Sequence, residues 1–456
     1  MTFADPEIRP LPTRAGGGPA EVLQQFRRLQ AKLAWADQTP ATLFAPVYTP
    51  WASAERFAEA MRQLYLAHVR LLRALHDRGP LTPAGRRYAE IAEMVRQYYL
   101  DWPVLVDEPQ RGGPDDAEPL RFLFGRPDVV LTDDGPKVVE TNFDTYAAGQ
   151  ERPDDMWDIA SELFEVEQEY RDFGRPLQGM TDYFLELAGE QPSDFHWIMP
   201  DTPATRRELA PLIDYLNRGP ATARHLLHFA GDTGFGNDPA EATGRIGYLH
   251  RSCSIFTVNR DRERFAAMLA ELAPLTPTCT VPLGFSVLAS KLFLAWLSDP
   301  AARPAGLTIT EQDAIDALLP WTRILGLLAE PTVNRVICLK DKYILKKADS
   351  HQGADVHFGC NIDPETWRSL VMACRADHVP WIVQERVHPT QFSLPEYTDD
   401  GVRTRQVGLS CCPYLMGGRL RGLETWITPA TPVLSMLTRM QFVPHFIQGA
   451  RPSSGG

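Results

Sequence analysis

Apolar and polar positions change rhythm along the chain, and each rhythm predicts a different kind of element. Between Pro50 and Leu100, SAERFAEAMRQLYLAHVRLLRAL repeats apolar residues at three and four, which predicts a long amphipathic helix. After the Gly79-Pro80 turn, PAGRRYAEIAEMVRQYYL predicts a second helix, paired with the first as an antiparallel hairpin. Residues 121–145 then read as a β-hairpin, and acid-rich helices fill 151–187. From His196 onward strand and helix patterns alternate: HWIMPD, the helical TRRELAPLIDYLNRG, HLLHFAGD, GRIGYLHR, and the helical RDRERFAAMLAELA. That βαβ rhythm implies a parallel, doubly wound subdomain. Residues 334–445 mix strands with one helix, PETWRSLVMACRA. The expected fold class is mixed α/β, of the α+β kind.

The hairpin carries the first candidate chemistry. RPDVVLTDDGPKVVETN, Arg126 to Asn142, sets two β-branched runs around Asp133-Asp134-Gly135-Pro136, a strong turn signal. Side chains alternate along a strand, so Glu140 and Asn142 share a face, with Asp128 across the turn. Two carboxylates and an amide oxygen on rigid strands are the sparse, hard-oxygen set that Mg2+ prefers when phosphates and water complete its octahedron. Arg126, two residues from Asp128, adds a cation beside them. A solvated hairpin with scattered acids would show the same residues, so the motif alone does not decide.

Composition narrows the classes. A chain of 456 residues can bury a sizeable core and form two or three interlocked lobes. The net charge of −12 argues against nucleic acid as a partner, since phosphate neutralisation needs clustered Lys and Arg. No apolar run reaches the roughly 18 residues of a membrane span, and no apolar signal core opens the sequence, so the expected compartment is the cytoplasm. The seven cysteines lack C-x-x-C spacing, which points to reduced thiols rather than a disulfide framework or a zinc site. His225-x-x-His228 has no acidic third ligand nearby and reads as part of a buried strand. GDTGFG at 231–236 lacks a nucleotide-binding glycine pattern and reads as a loop.

Downstream segments then resemble a known family. YILKKADSHQGADVHFG, residues 343–359, resembles the strand, lysine and phosphate-covering loop of ATP-grasp enzymes, and WIVQERV, 381–387, resembles their adenine-binding hinge. Most such enzymes place lysine and hinge before the metal carboxylates. Here the carboxylates come first, the order of a circular permutation. The Arg-x-Asp and Glu-x-Asn pair resembles the circularly permuted ligases similar to glutathionylspermidine synthetase, and GYLHR (247–251), SVLASKLFLAWL (286–297) and Leu-Pro-Trp-Thr (319–322) echo that family's order of segments. The likeness covers about residues 120–445.

The resemblance implies a permuted ATP-grasp fold, ATP and Mg2+ as cofactors, and an ADP-forming carboxylate–amine ligase that makes an amide through an acyl phosphate. Asp128, Glu140 and Asn142 would hold the metal. Lys346, at the end of its strand, would hold phosphates, with Lys340 and then Lys291 as weaker candidates. Gly353 belongs to the covering loop, which departs from the family in lacking its usual glycine pair. Gln384, Glu385 and Val387 would receive the nucleotide, with the backbone of Glu385 and Val387 on the adenine edge, and Arg126 would face the oxyanion of the tetrahedral intermediate. The expected division is a mobile leader (1–20), a helical region (21–115), the metal-binding strand pair (116–150), an α/β substrate-side region (151–330), the nucleotide-binding lobe (331–450) and a disordered tail (451–456). Expected partners are small-molecule carboxylate and amine substrates such as an amino acid, peptide or polyamine, with no nucleic acid, no membrane and a homodimer left open. The rival is a non-catalytic ATP-binding or scaffold protein, suggested by the thinned glycine loop. A third reading, a cysteine amidase, would need Cys253 and a histidine such as His250 in one site.

Overall fold

The computed structural model describes residues 7–8, 13–14, 18–33, 42–76, 85–95, 119–143, 151–166, 175–234, 245–252, 261–276, 278–280, 288–348, 350, 355–428 and 441–448. The largest sheet combines the long C-terminal strands with short strands from the first 140 residues. Its order is β2 (Leu43–Phe44), β15 (Phe392–Thr398), β16 (Gly401–Met416), β5 (Asp128–Thr132) and β6 (Gly135–Glu140), with β17 (Arg419–Thr428) and β4 (Phe124–Gly125) also on β16. The β5–β6 turn closes on Asp133-Asp134. Gly135, at φ 98°, takes the left-handed conformation that a residue with a Cβ resists. Sixteen-residue β16 joins this N-terminal hairpin to β17, so the sheet is assembled from segments far apart in sequence.

A second, four-stranded sheet, β11 (Thr322–Ile324), β14 (Trp381–Glu385), β12 (Tyr343–Lys347) and β13 (Val356–Phe358), is antiparallel throughout. The βαβ rhythm read from the sequence corresponds to a third sheet. Its order is β10 (Thr278–Cys279), β9 (Ile246–Arg251), β7 (Ser193–Met199) and β8 (Ala223–Phe229), and every pairing is parallel. Helix α6 (Pro203–Leu216) connects β7 to β8, and α7 (Arg262–Leu272) connects β9 to β10. The short β1 (Glu7–Ile8), β3 (Val47–Pro50) and β18 (His445–Gln448) make a fourth sheet.

The remaining described helices are α1 (Pro19–Gln30), α2 (Trp51–His76), α3 (Gly85–Val95), α4 (Glu151–Leu163), α5 (Pro176–Ala188), α8 (Lys291–Leu297), α9 (Ile309–Leu318), α10 (Glu330–Cys338) and α11 (Pro364–Ala376). The long helix expected after Pro50 is α2. Its apolar face joins one core with Ile91, Ala92 and Val95 of α3, with α8 and α9, and with Val129, Leu131 and Val138 of the hairpin. That core backs the hairpin, so its strands are rigid where they carry Asp128 and Glu140. A separate core fills the parallel subdomain and includes Phe124, Tyr414 and Met416 of the large sheet. No described helix is long and apolar enough to cross a membrane. The six described cysteines, at 279, 338, 360, 374, 411 and 412, are free thiols, and Cys253 lies outside the described residues.

Candidate active site

Where the β5–β6 hairpin lies against a face of β12, charged side chains from four stretches of chain converge. Asp128 and Glu140 are register partners across the two strands, with a bulge between Asp128 and Val129. A bulge increases local twist and re-aims side chains, and here it sits at the candidate ligand. The backbone N–H of Arg126 donates to the Asn142 carbonyl at 2.9 Å, and the Asn142 amide returns a bond to the Arg126 carbonyl at 3.1 Å. The same Nδ2 lies 3.5 Å from Asp128 Oδ1. An amide donating at Nδ2 leaves Oδ1 as its ligand atom.

Two lysines reach the hairpin from the other side. Lys291, the first residue of α8, donates to Glu140 Oε1 at 2.9 Å and to the Ser350 carbonyl at 2.6 Å. Lys346 of β12 donates to the Val139 carbonyl at 2.9 Å and to Gln384 Oε1 at 2.8 Å. Strand alternation sends Lys347 the other way, toward Asp377 and the Trp381 ring. Both cluster lysines are buried. Burial lowers Lys346 to about 8, opposed by Glu140, assisted by Lys291 and opposed again by Asp128.

Burial raises the Asp128 carboxyl to about 7. Arg126 pulls it down, Glu140 and Glu424 push it up, and Lys346 pulls it down. Arg126 stays cationic: burial disfavours its charge, yet Glu424, Tyr414 and Asp128 together hold it well above its ordinary range. Its Nη1 donates to Glu424 Oε2 at 2.6 Å, and its Nη2 is 3.8 Å from Asp128 Oδ1. Cys412 Sγ also lies 3.9 Å from Asp128 Oδ1, but burial and that carboxylate keep it a thiol. A buried neutral thiol is a poor nucleophile.

Other residues singled out from the sequence fall elsewhere. Lys340 donates to Asp341 Oδ1 at 2.6 Å and to the Gly359 carbonyl at 3.1 Å, which turns it to its own turn rather than to the lysine pair. Gln384 is fully buried and holds Lys346, with its amide toward Thr322 Oγ1 at 3.2 Å, so it supports the lysine instead of presenting an open edge. The Glu385 N–H donates to the Trp321 carbonyl at 2.8 Å and the Arg386 N–H to the Lys342 carbonyl at 2.8 Å, inside the sheet. Of the main-chain groups expected on the adenine edge, the Glu385 N–H is therefore already bonded, and Val387 lies half-buried just beyond β14. Gly353, His351 and Gln352 lie outside the described residues. His225 accepts from Trp197 Nε1 at 3.0 Å and His228 pairs with His196 at 3.0 Å, both in the parallel sheet. His250 is buried against Thr280.

Glu424 and Tyr414, which share the cluster, carry no local motif. Lys291 does have one: Ser290 caps its helix by accepting from the Leu292 N–H, which fixes where the lysine starts. Among the described residues no group of three or more His, Cys, Asp and Glu is arranged to hold a metal. The candidate set is two carboxylates and an amide. It fits a hard divalent cation that draws its remaining oxygens from water and phosphate.

No family model matches the sequence, and no curated protein matches it. Among solved structures, the chain is similar in fold to a glutathione synthetase-like effector from Globodera pallida in its apo form. The TM-score is 0.51 at 11% identity, over 94% of this chain and 98% of that chain. At that identity the likeness is one of fold, a mixed α/β architecture matched along nearly the whole of both chains.

Proposed function

We propose that the protein is an ATP-dependent carboxylate–amine ligase of the circularly permuted ATP-grasp type, releasing ADP and phosphate. The observation that carries this reading is the convergence of Lys291 and Lys346 on the Asp128–Glu140–Asn142 hairpin, cations for phosphate beside oxygens for a metal. The glutathione synthetase-like name of the structural neighbour supports it. Mg2+ bound by Asp128, Glu140 and Asn142 would neutralise charge on the phosphates and align them.

Lys291 and Lys346 would then turn from Glu140 and Val139 to phosphate oxygens, each exchanging a protein acceptor for a more strongly charged one. In the reaction, a substrate carboxylate attacks the γ-phosphorus and ADP leaves. An amine then attacks the acyl carbon, and phosphate leaves as the amide forms. Arg126 would face the oxyanion of that second step, the kind of contact worth about 3 kcal/mol of barrier. Catalysis of this sort is alignment and charge compensation, so it asks for no covalent nucleophile. Cys412, the thiol nearest the ligands, suits that reading because it is held neutral.

The test is an ADP-release screen across amino acids, peptides and polyamines with mass spectrometry of products. An amide with ADP and phosphate is expected. AMP and pyrophosphate, or ATP binding with no amide from any amine, would contradict the proposal, the latter in favour of a non-catalytic ATP-binding protein.

A further inference from the structure

The Arg126 guanidinium stands between two carboxylates, and the structure holds it firmly against one of them. Its Nη1 is 2.6 Å from Glu424 Oε2, whereas its Nη2 is 3.8 Å from Asp128 Oδ1. Glu424 is fully buried, and Tyr414 Oη lies 3.3 Å from the same Oε2. The guanidinium carbon also packs over the Tyr414 ring at 5.8 Å and the Trp426 ring at 5.4 Å. The register explains this grouping. Cys412 pairs with Glu424 and Ser410 with Trp426, so period-two alternation puts Cys412, Tyr414, Glu424 and Trp426 on one face of the large sheet, the face that carries Arg126 and Asp128.

We propose that Glu424 is a positioning residue that keeps Arg126 off Asp128, and so keeps the Asp128 carboxylate available to a divalent cation. This rests on the ligase reading for the identity of the metal ligands. Coulomb attraction grows as separation falls and is strong in a buried site. With the Glu424 charge removed, the ion pair to Asp128 becomes the stronger pull on the guanidinium, and a short side-chain rotation closes the 3.8 Å gap. Asp128 is then neutralised by arginine and competes poorly for metal. The Tyr414 hydroxyl and the two rings restrict the same rotation. Glu424 therefore acts on the metal through Arg126, and its effect depends on Arg126 being present.

Dependence of this kind separates positioning from a merely structural role. The probe is Mn2+, titrated in the presence of ATP and followed by electron paramagnetic resonance, with a thermal melt for each variant. Glu424→Gln, which keeps shape and loses charge, should weaken Mn2+ binding roughly tenfold or more, as loss of a residue supporting a ligand does. Adding Arg126→Ala to that variant should recover most of the loss, a coupling that a double-mutant cycle reads directly. Tyr414→Phe, which keeps every charge, should shift affinity in the same direction by less. Unchanged affinity in Glu424→Gln, or no recovery in the double variant, overturns the proposal. Should Glu424→Gln fail to fold, Tyr414→Phe decides, and wild-type affinity there overturns it. A wild-type protein whose Mn2+ binding ignores Glu140→Gln brings down the ligase reading and this inference together, whereas a Glu140-dependent wild type with an indifferent Glu424→Gln brings down this inference alone.

Discussion

The hairpin cluster and the buried histidines of the parallel subdomain both take titratable groups out of water, and they differ in what those groups meet there. In the parallel sheet, burial pushes His225 down to about 3 and His228 to about 4, and drives His250 well below its ordinary value, so each is a neutral ring. Their partners are other neutral groups: Trp197 for His225, His196 for His228, Thr280 for His250. In the hairpin cluster, Arg126, Lys291 and Lys346 face Asp128, Glu140 and Glu424, and the groups are held together across elements distant in sequence. Removing charge is the easier way to bury an ionisable group. Charge is kept in the parallel subdomain too, where Arg224 and Arg245 hold Asp194, but the hairpin cluster gathers its cations from separate elements around two carboxylates, and on the ligase reading it is where an ion and a polyphosphate would exchange for internal partners.

The largest expected effect tests the charged side of this contrast. Glu140→Gln should lower ADP formation by roughly a hundredfold or more, the upper range for loss of a group supporting a metal site. Arg126→Ala should lower amide formation by about a hundredfold through the lost oxyanion contact while leaving ATP binding largely in place. Steady-state rates with a product-forming amine check both, and a fully active variant of either would remove that residue from the site. Next in size, Lys346→Ala should weaken nucleotide binding by about 2 kcal/mol, the worth of a charge-assisted hydrogen bond, whereas Lys347→Ala on the opposite face should change it little. Calorimetry of the pair decides, and greater sensitivity at Lys347 would place the phosphates on the other face of β12.

The two regions should also part company with pH. Lys346 titrates near 8, below its ordinary 10.5, so affinity for ATP should fall as pH rises through 8. The stability sign is the reverse: the unfolded chain holds that proton up to 10.5, so folding gains between 8 and 10.5. The histidines act at the acid end. They are neutral in the fold and protonated when unfolded below 6.5, so their region keeps full stability above 6.5 and loses it as pH falls toward 4. Hydrogen exchange across β7 and β8 between pH 7 and pH 4 should show that loss earlier than exchange across β5 and β6. Smallest of all, His228→Ala should leave nucleotide affinity within about 0.5 kcal/mol of wild type, as expected for a change away from the site. A large loss there would dissolve the contrast.

What the sequence disclosed and withheld follows the reach of each interaction. The hairpin was legible because its turn, Asp133-Asp134-Gly135, is a local signal, and the opposed faces of Lys346 and Lys347 follow from period two alone. The parallel subdomain was legible because its strand and helix patterns alternate within a short stretch. Glu424 and Tyr414 were not, since they join Arg126 only through the pairing of β16 with β17 and β5, which no local pattern encodes. The contact of Lys291 with Glu140 was not legible either, because that lysine heads an apolar helix, KLFLAWL, whose residues are all buried. Nor was the pairing of the Glu385 N–H legible, because WIVQE looks the same whether its last amide is open or paired, and only the neighbouring Trp321–Ile324 segment settles that.

On the ligase reading Lys291 and Glu140, paired at 2.9 Å, would part together, the carboxylate to a metal and the ammonium to phosphate. Calorimetry of ATP binding with and without Mg2+, on wild type and Glu140→Gln, tests it most directly. Tight binding in wild type only when Mg2+ is present, with most of that metal dependence lost in Glu140→Gln, is the predicted result. Equal ATP affinity with and without Mg2+ in the wild-type protein would contradict it.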